Sequence, residues 1–562
     1  MKYKKIYLAG LVFSLGTSIL LTSCSDKGNN TTNQTVEGVQ DTQSTNKTES
    51  SSNTSGSDVT VKLDSEDYYF NWKEKDHETI DLSVENKTIT KSGIYEIKGS
   101  ITDGSLEVDV DKAVDDGIIY LVLNGVNISS SNSAPIYIKG AEKVVMILEN
   151  GTENIIYQGS NVHTNEDNEP SAAIFSKGDL TITGSGSLKV TGEYNDGITS
   201  KDKLKITDGN IEVTAAQDGI VGKDLLAVEN ADIKVMAGKH GLRSTNEVDE
   251  GKGNLVIFSG TFDINAKVDG LQAYNILEIK GGTYNIECED DGIHSDGSVK
   301  ITDGDITIKN SYEGIEGINV TINDGKINLI AKDDGLNVNG SNGVLSINGG
   351  EIYINAGGDG IDSNGNVEMT GGIVYVDGPA NDGNGALDYD KNFNITGGTL
   401  IAAGSMGMAQ APEGGTQLSI LMYYTSVQTK GTPITLKDSS NNEIVTYAPS
   451  KNYSSVVISN PNLKSGEAYT LYSNDEKVVE FQLGDTVTYI NESGVTTRQG
   501  GFRGGQKGER PQGGIPQGRF PQGEIPQGET PKGEKPQGGI PSGEKGGTNI
   551  KPSEGTSQGK RN

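Results

Sequence analysis

At 562 residues and a formal net charge of −30, the chain repels nucleic acid and anionic membrane surfaces, so neither is an expected partner. Its 77 glycines, 6% aromatic and 33% hydrophobic residues exclude an ordinary globular composition, and their regular recurrence excludes plain disorder as well. Of two cysteines, Cys24 and Cys288, the first belongs to an export signal, which leaves no expected intrachain disulfide.

The N-terminus opens with Lys2, Lys4 and Lys5 and continues in an apolar run from Ile6 to Leu21, the layout of a signal peptide spanning 1–23. It ends in Leu21-Thr22-Ser23-Cys24, which resembles the lipobox of bacterial lipoproteins. That resemblance implies lipidation of Cys24 and a chain anchored by lipid at the extracellular face of the cell membrane. Residues 24–57 are nearly all Ser, Thr, Asn, Gln, Gly and Asp, and read as a flexible tether that cannot bury a core.

A short element then recurs: an acid, a glycine, and Ile or Leu. It stands at Asp196-Gly197-Ile198, Asp218-Gly219-Ile220, Asp269-Gly270-Leu271, Asp291-Gly292-Ile293, Glu313-Gly314-Ile315, Asp334-Gly335-Leu336 and Asp359-Gly360-Ile361, with His240-Gly241-Leu242 as a variant. Successive glycines are 22, 22, 29, 22, 22, 21 and 25 residues apart. A second column, Gly209, Ala231, Gly260, Gly282, Gly304, Gly325, Gly350, Gly372 and Gly398, carries the same insertions. Between the columns apolar and polar residues alternate, as in Asp305-Ile306-Thr307-Ile308, the period of a strand with one buried face. Three short strands per period of about 22 residues predict an all-β fold, a right-handed parallel β-helix over 58–414. Ile198, Ile220, Leu242, Leu271, Ile293, Ile315, Leu336 and Ile361 should stack as one internal ladder, and the 29-residue coil should hold a surface loop near Thr245–Gly253. Ala173-Ile174-Phe175-Ser176 aligns with Gly197-Ile198-Thr199-Ser200 and extends the same grammar upstream. Residues 415–498 lose the period and read as a β cap or small β domain, and 499–562, with prolines five apart, as a disordered, mildly basic tail.

These coils, the lipobox, and segments such as Leu121-Val122-Leu123-Asn124-Gly125-Val126 and Phe175-Ser176-Lys177-Gly178-Asp179-Leu180 resemble the clostridial carbohydrate-binding β-helix family over roughly 58–490. The resemblance implies a pectate-lyase-like fold, calcium in acidic turns, and binding of cellulose-like or acidic polysaccharide such as polygalacturonate.

The chemistry available to the residues has three parts. Stacked turn acids one strand spacing apart can face one ion, which makes Asp196, Asp218, Asp290, Asp291, Glu313, Asp333, Asp334 and Asp359 candidate Ca2+ ligands. Alternatively each acid only shapes its turn by bonding its own backbone. The residue after each stacked Ile or Leu should point outward, with another two positions on. This strip offers Arg243, Gln272, Tyr274, His294, Glu316 and Asn337 to a linear glycan, or is an ordinary solvated face. No distinctive catalytic set emerges, since the four histidines form no hydrolase pattern and acids are everywhere. The reading is a monomeric, calcium-supported, non-catalytic polysaccharide binder, with a calcium-dependent lyase and a structural or adhesive surface protein as alternatives.

Overall fold

The computed structural model describes residues 59–83 and 86–499. The signal segment 1–23, Cys24 with the tether up to residue 57, and the Pro-Gln-Gly tail from residue 500 lie outside the described residues.

One coil consists of strands Asp196–Ser200, Lys203–Ile206 and Gly209–Ala215, and the next of Ile220–Gly222, Leu225–Val228 and Ala231–Ala237. Each strand pairs in parallel with its counterpart one coil on, Ile198 opposite Ile220, Leu204 opposite Leu226 and Gly209 opposite Ala231. Among the described residues the coils form a parallel β-solenoid of about 13 turns with no α-helix. Its first, second and third strand stacks follow the order of the three strands within a coil.

The anticipated aliphatic ladder is present rung by rung from Ile198 to Ile361. It continues upstream to Ile174 and Ile136 and downstream to Leu387. A coil alone has nothing against which to bury these side chains, so stacking supplies the core. Ile293 is fully buried in it. Ile293→Ala is expected to destabilise the protein by about 2–5 kcal/mol, read as a lower urea midpoint, because the ladder on either side prevents the cavity from closing.

The two glycine columns exist because coils approach too closely for a side chain. A Cβ on Gly197 would lie 2.7 Å from the carbonyl oxygen of Gly219 and 2.2 Å from Val213 Cγ1. Gly325 adds a backbone requirement, with φ +106 and its would-be Cβ 2.7 Å from Gly304 O. The long coil carries its extra residues between strands Leu242–Ser244 and Asn254–Ile257. That loop is tied to the preceding coil, where Asp224 accepts from Asn246 Nδ2 (2.6 Å) and pairs with Lys252 (2.7 Å).

Both ends carry additions. Strand Tyr453–Ser459 runs antiparallel to Thr399–Gly404, the last strand of the third stack, and to Ser419–Gln428, so this sheet edge is not left open. A separate four-stranded antiparallel sheet, Glu443–Tyr447, Ile434–Asp438, Ala468–Ser473 and Glu476–Gln482, buries Leu436, Tyr469, Leu471 and Phe481 in a second apolar cluster.

At the other end the sequence reading assigns residues from 58 onward to coils. The first described ones instead form a strap with two 3-10 turns, Ser65–Asp67 and Trp72–Glu74. It lies against the second stack, where Trp72 packs on Val122, Val145 and Ile147. The Asp67 carboxylate is fully buried there, 2.7 Å from Lys143 Nζ and 2.8 Å from Lys205 Nζ, and accepts from Thr181 Oγ1 at 2.7 Å. Burial by itself would raise its pKa, but the hydrogen bonds from Lys143 and Lys205 override this and hold it far below the usual carboxylate range.

Candidate functional site

The turn entering the first stack places two columns side by side. One is the acid of each acid-Gly-Ile element: Asp196, Asp218, His240, Asp269, Asp291, Glu313, Asp334 and Asp359. The other lies three residues later, one step past the buried Ile or Leu: Thr199, Val221, Arg243, Gln272, His294, Glu316, Asn337, Asp362 and Asp388, each register-paired with the next. The turn returns the acid toward the residue three positions on, so the expected cation ladder and the expected glycan strip form a single strip.

The acids act first on the backbone. Asp269 Oδ1 accepts the N–H of Asp291 (3.1 Å) and Asp291 Oδ1 that of Glu313 (3.3 Å). Asp334 Oδ1 accepts from Asp359 N at 2.6 Å, and Asp359 Oδ1 from Gly385 N at 2.5 Å. Each carboxylate therefore caps the turn of the following coil rather than its own, which gives the acid a stacking role independent of any ligand.

At one end of the strip Asp218 has basic partners. Asp218 is held by His240 Nδ1 (2.7 Å) and Arg243 Nη1 (3.0 Å). Burial would raise the Asp218 pKa, but the bond and charge of His240 with the charge of Arg243 take it down to about 2. Asp196 accepts from Asp218 N through Oδ1 (3.2 Å) and from the Thr199 hydroxyl through Oδ2 (3.0 Å). Burial and the Asp218 charge push it up to about 7. Among the described residues, Asp196 and Asp218 belong to no group of three or more side chains whose ligand atoms converge within 4.8 Å.

Further along, three such groups occur among the described residues, with ligand atoms within 4.8 Å of one another: Asp269, Asp291 and His294; Asp291, Glu313 and Glu316; and Asp334, Asp359 and Asp362. In the first, His294 Nδ1 lies 3.1 Å from Asp291, 3.6 Å from Asp269 and 3.7 Å from Glu316. Burial would lower the imidazole pKa, but the Asp291 hydrogen bond and the Asp269 and Glu316 charges raise it to about 9. The imidazole therefore lies among three carboxylates. Burial, then neighbouring carboxylates, push Asp269 to about 7, Glu313 to about 8, and Asp359 and Asp362 each to about 7. The Asp334–Asp359–Asp362 group has only oxygen ligands, with the Asp388 charge adding to the repulsion. Beside it on the strip, the buried Asn337 donates Nδ2 to Glu313 Oε2 (2.6 Å) while its carbonyl oxygen has no hydrogen-bond partner. An all-oxygen carboxylate set under mutual repulsion, next to an orphaned carbonyl, has the donor chemistry of a hard divalent cation such as calcium.

Of the other expected site residues, Asp290 is exposed and Asp333 half-buried, and both lie outside these groups. The strip points outward as expected but is less solvated than an ordinary outer face. Gln272 and Asn337 are buried, and Arg243, His294 and Glu316 are half-buried, because acid and strip side chains pair with one another instead of facing water. Arg243 donates through Nε to Gln272 Oε1 (2.8 Å). Tyr274 stands exposed at the edge of the strip, beside Gly253 of the inserted loop. Asp269 and Asp362, which belong to these groups, and Asp388, whose charge bears on the last of them, are not among the expected ligands. Asp269 carries the repeated motif and was legible, whereas Asp388 follows Leu387 in a coil that lacks the acid-glycine pair. Cys288 is buried, and burial raises its thiol pKa to about 12.

A family model described as carbohydrate-binding domain-containing protein matches residues 83–291 and 288–420. A carbohydrate-binding domain-containing protein of Acetivibrio thermocellus is 36% identical over 217 residues, 38% of this chain and 66% of the relative, so the match spans just under two thirds of that protein. A solved structure, that of the polysaccharide lyase-like protein from C. thermocellum as a gadolinium derivative, is 32% identical, covering 42% of this chain and 94% of that one at a TM-score of 0.34.

Proposed function

This chain belongs to the family of carbohydrate-binding domain-containing proteins, and from that premise we propose that it is a lipid-anchored, non-catalytic binder of polysaccharide at the bacterial cell surface, supported by calcium on its acidic strip. The observation that carries the reading is the convergence of Asp334, Asp359 and Asp362, carboxylates that the stacked coils bring together despite burial and like charge, without a basic partner in the group. A calcium ion there would be held by these three carboxylates, with the Asn337 carbonyl beside them. It would relieve their repulsion and offer a positive charge to the carboxylates of an acidic glycan such as polygalacturonate. The strip's own residues serve to hold the ion and order the turns. Arg243 and His294, which a lyase would need as bases, are engaged by carboxylates. Cys24 would tether the domain to the membrane through its lipid.

The test is electrophoresis of the mature chain through gels containing polygalacturonate, with calcium or with chelator, assaying the same samples for unsaturated product. Calcium-dependent retardation without product is expected. Retardation with product would replace this reading by a lyase, and no retardation on any polysaccharide would replace it by a structural or adhesive protein.

A further inference from the structure

Away from the acidic strip, a cleft of about 540 Å³ opens where the strap meets the turns leaving the second stack. One wall is Tyr68 and Tyr69, exposed by 38% and 44%. The other is built from successive turns and includes Asp208, Glu229, Asn230 and Ser259. These turn positions repeat once per coil, so the polar groups form a row one strand spacing apart, about 4.8 Å, running along the solenoid axis.

The two rings lie on a segment without regular strands, between residues tied to the coils on both sides. Immediately before them Asp67 is locked by Lys143, Lys205 and Thr181, and its carbonyl accepts from Thr207 Oγ1 at 2.5 Å. Three residues after them Trp72 is buried and donates Nε1 to Glu149 Oε2 (2.6 Å), and Lys73 pairs with the same carboxylate (2.7 Å). Tyr68 itself donates to Glu229 Oε2 at 2.8 Å, fixing its ring across the cleft. Anchors on both sides of two solvent-facing aromatics lower the ordering cost of binding. Packing alone gives no reason for the rings to stay outside, since the neighbouring Trp72 shows that the strap buries an aromatic where it needs one.

We propose that this cleft is a second glycan site, one that takes an uncharged, linear polysaccharide without a metal. Tyrosine faces stack on the C–H faces of sugar rings, and the row of carboxylate, carboxamide and hydroxyl groups meets the ring hydroxyls. No Lys or Arg lines the cleft, while Asp208 and Glu229 do, so a uronate chain is repelled there. The cleft and the acidic strip therefore divide ligands by charge. The inference rests on the reading of the chain as a polysaccharide binder, and goes beyond it in the site and in metal independence.

The test uses the mature chain, wild type, Tyr69→Ala and Tyr68→Phe, in gels containing hydroxyethylcellulose or polygalacturonate, each with calcium or chelator. Wild type is expected to be retarded by hydroxyethylcellulose equally under both conditions. Tyr69→Ala should lose roughly tenfold in affinity for that polymer, with calcium-dependent retardation by polygalacturonate unchanged, and Tyr68→Phe should lose less because it keeps the ring. Unaltered Trp72 fluorescence reports that the strap is still seated. Retardation by hydroxyethylcellulose that survives Tyr69→Ala, or requires calcium, would overturn the proposal. So would retardation by polygalacturonate alone, which leaves the acidic-strip reading standing. Retardation by neither polymer would overturn both.

Discussion

Replacing Asp67 by Asn is expected to destabilise the N-terminal coils by about 3–5 kcal/mol, because it leaves two largely buried ammonium groups, those of Lys143 and Lys205, without their shared counter-charge. The loss should be local, since coils of a solenoid contact chiefly their neighbours. The chain has one tryptophan, and Trp72 sits in the strap itself, so its fluorescence during urea unfolding reads this region directly. The Trp72 midpoint should fall by more than about 1 M urea, while the far-UV circular dichroism transition of the remaining coils moves less. A companion variant with Asp67→Asn, Lys143→Met and Lys205→Met removes the buried charges together and should recover most of the loss. If Asp67→Asn leaves the Trp72 transition in place, the strap is not held by this charge cluster.

The second large effect is the coupling of pH to calcium. Metal-free, the carboxyls of Asp269, Asp359 and Asp362 lie near 7 and that of Glu313 near 8, raised by burial and then by their carboxylate neighbours. In the unfolded chain such groups titrate near their ordinary values of about 4. A raised folded pKa means that the folded state keeps a proton the unfolded state has released, so stability is fully present below about pH 4 and is lost as pH rises through about 7–8. His294, raised to about 9, acts in the same direction: its contribution is complete below its ordinary value and disappears as pH rises through 9. Each tenfold change in proton affinity is worth about 1.4 kcal/mol, so the chelated protein should lose Tm steeply between about pH 5 and 8. On the proposed reading calcium replaces those protons, and at a concentration a hundredfold above its Kd each ion adds about 2.7 kcal/mol. Melting curves with calcium and with chelator should therefore nearly coincide at about pH 5 and separate widely at about pH 8. Curves that stay superimposed over this range would remove calcium from the acidic strip. Asp362→Asn should narrow the gap, because it removes one carboxylate charge from the Asp334–Asp359–Asp362 group.

Sequence by itself determined the coil. Gly197 and its equivalents recur because the next coil's carbonyl stands where a Cβ would be, and Ile198 and its equivalents recur because the core is one rung repeated. Both are local demands imposed identically on every turn, and so they appear as a period. The acids of the motif were legible for the same reason, but their partners were not. Whether an acid meets a base or another acid depends on which residue stands three positions later and one coil away: Arg243 and His240 neutralise Asp218, whereas Asp362 adds to Asp334 and Asp359. Only the three-dimensional register brings those positions together, and it merged into one strip what the sequence presents as a turn column and a strand column. The strap lay further from reach. Asp67 finds Lys205 across 138 residues, once and without repetition, so nothing periodic marks it. Tertiary structure alone decided that Tyr68 and Tyr69 face solvent between two buried anchors, because their exposure follows from where Asp67 and Trp72 dock and not from any pattern around the tyrosines themselves.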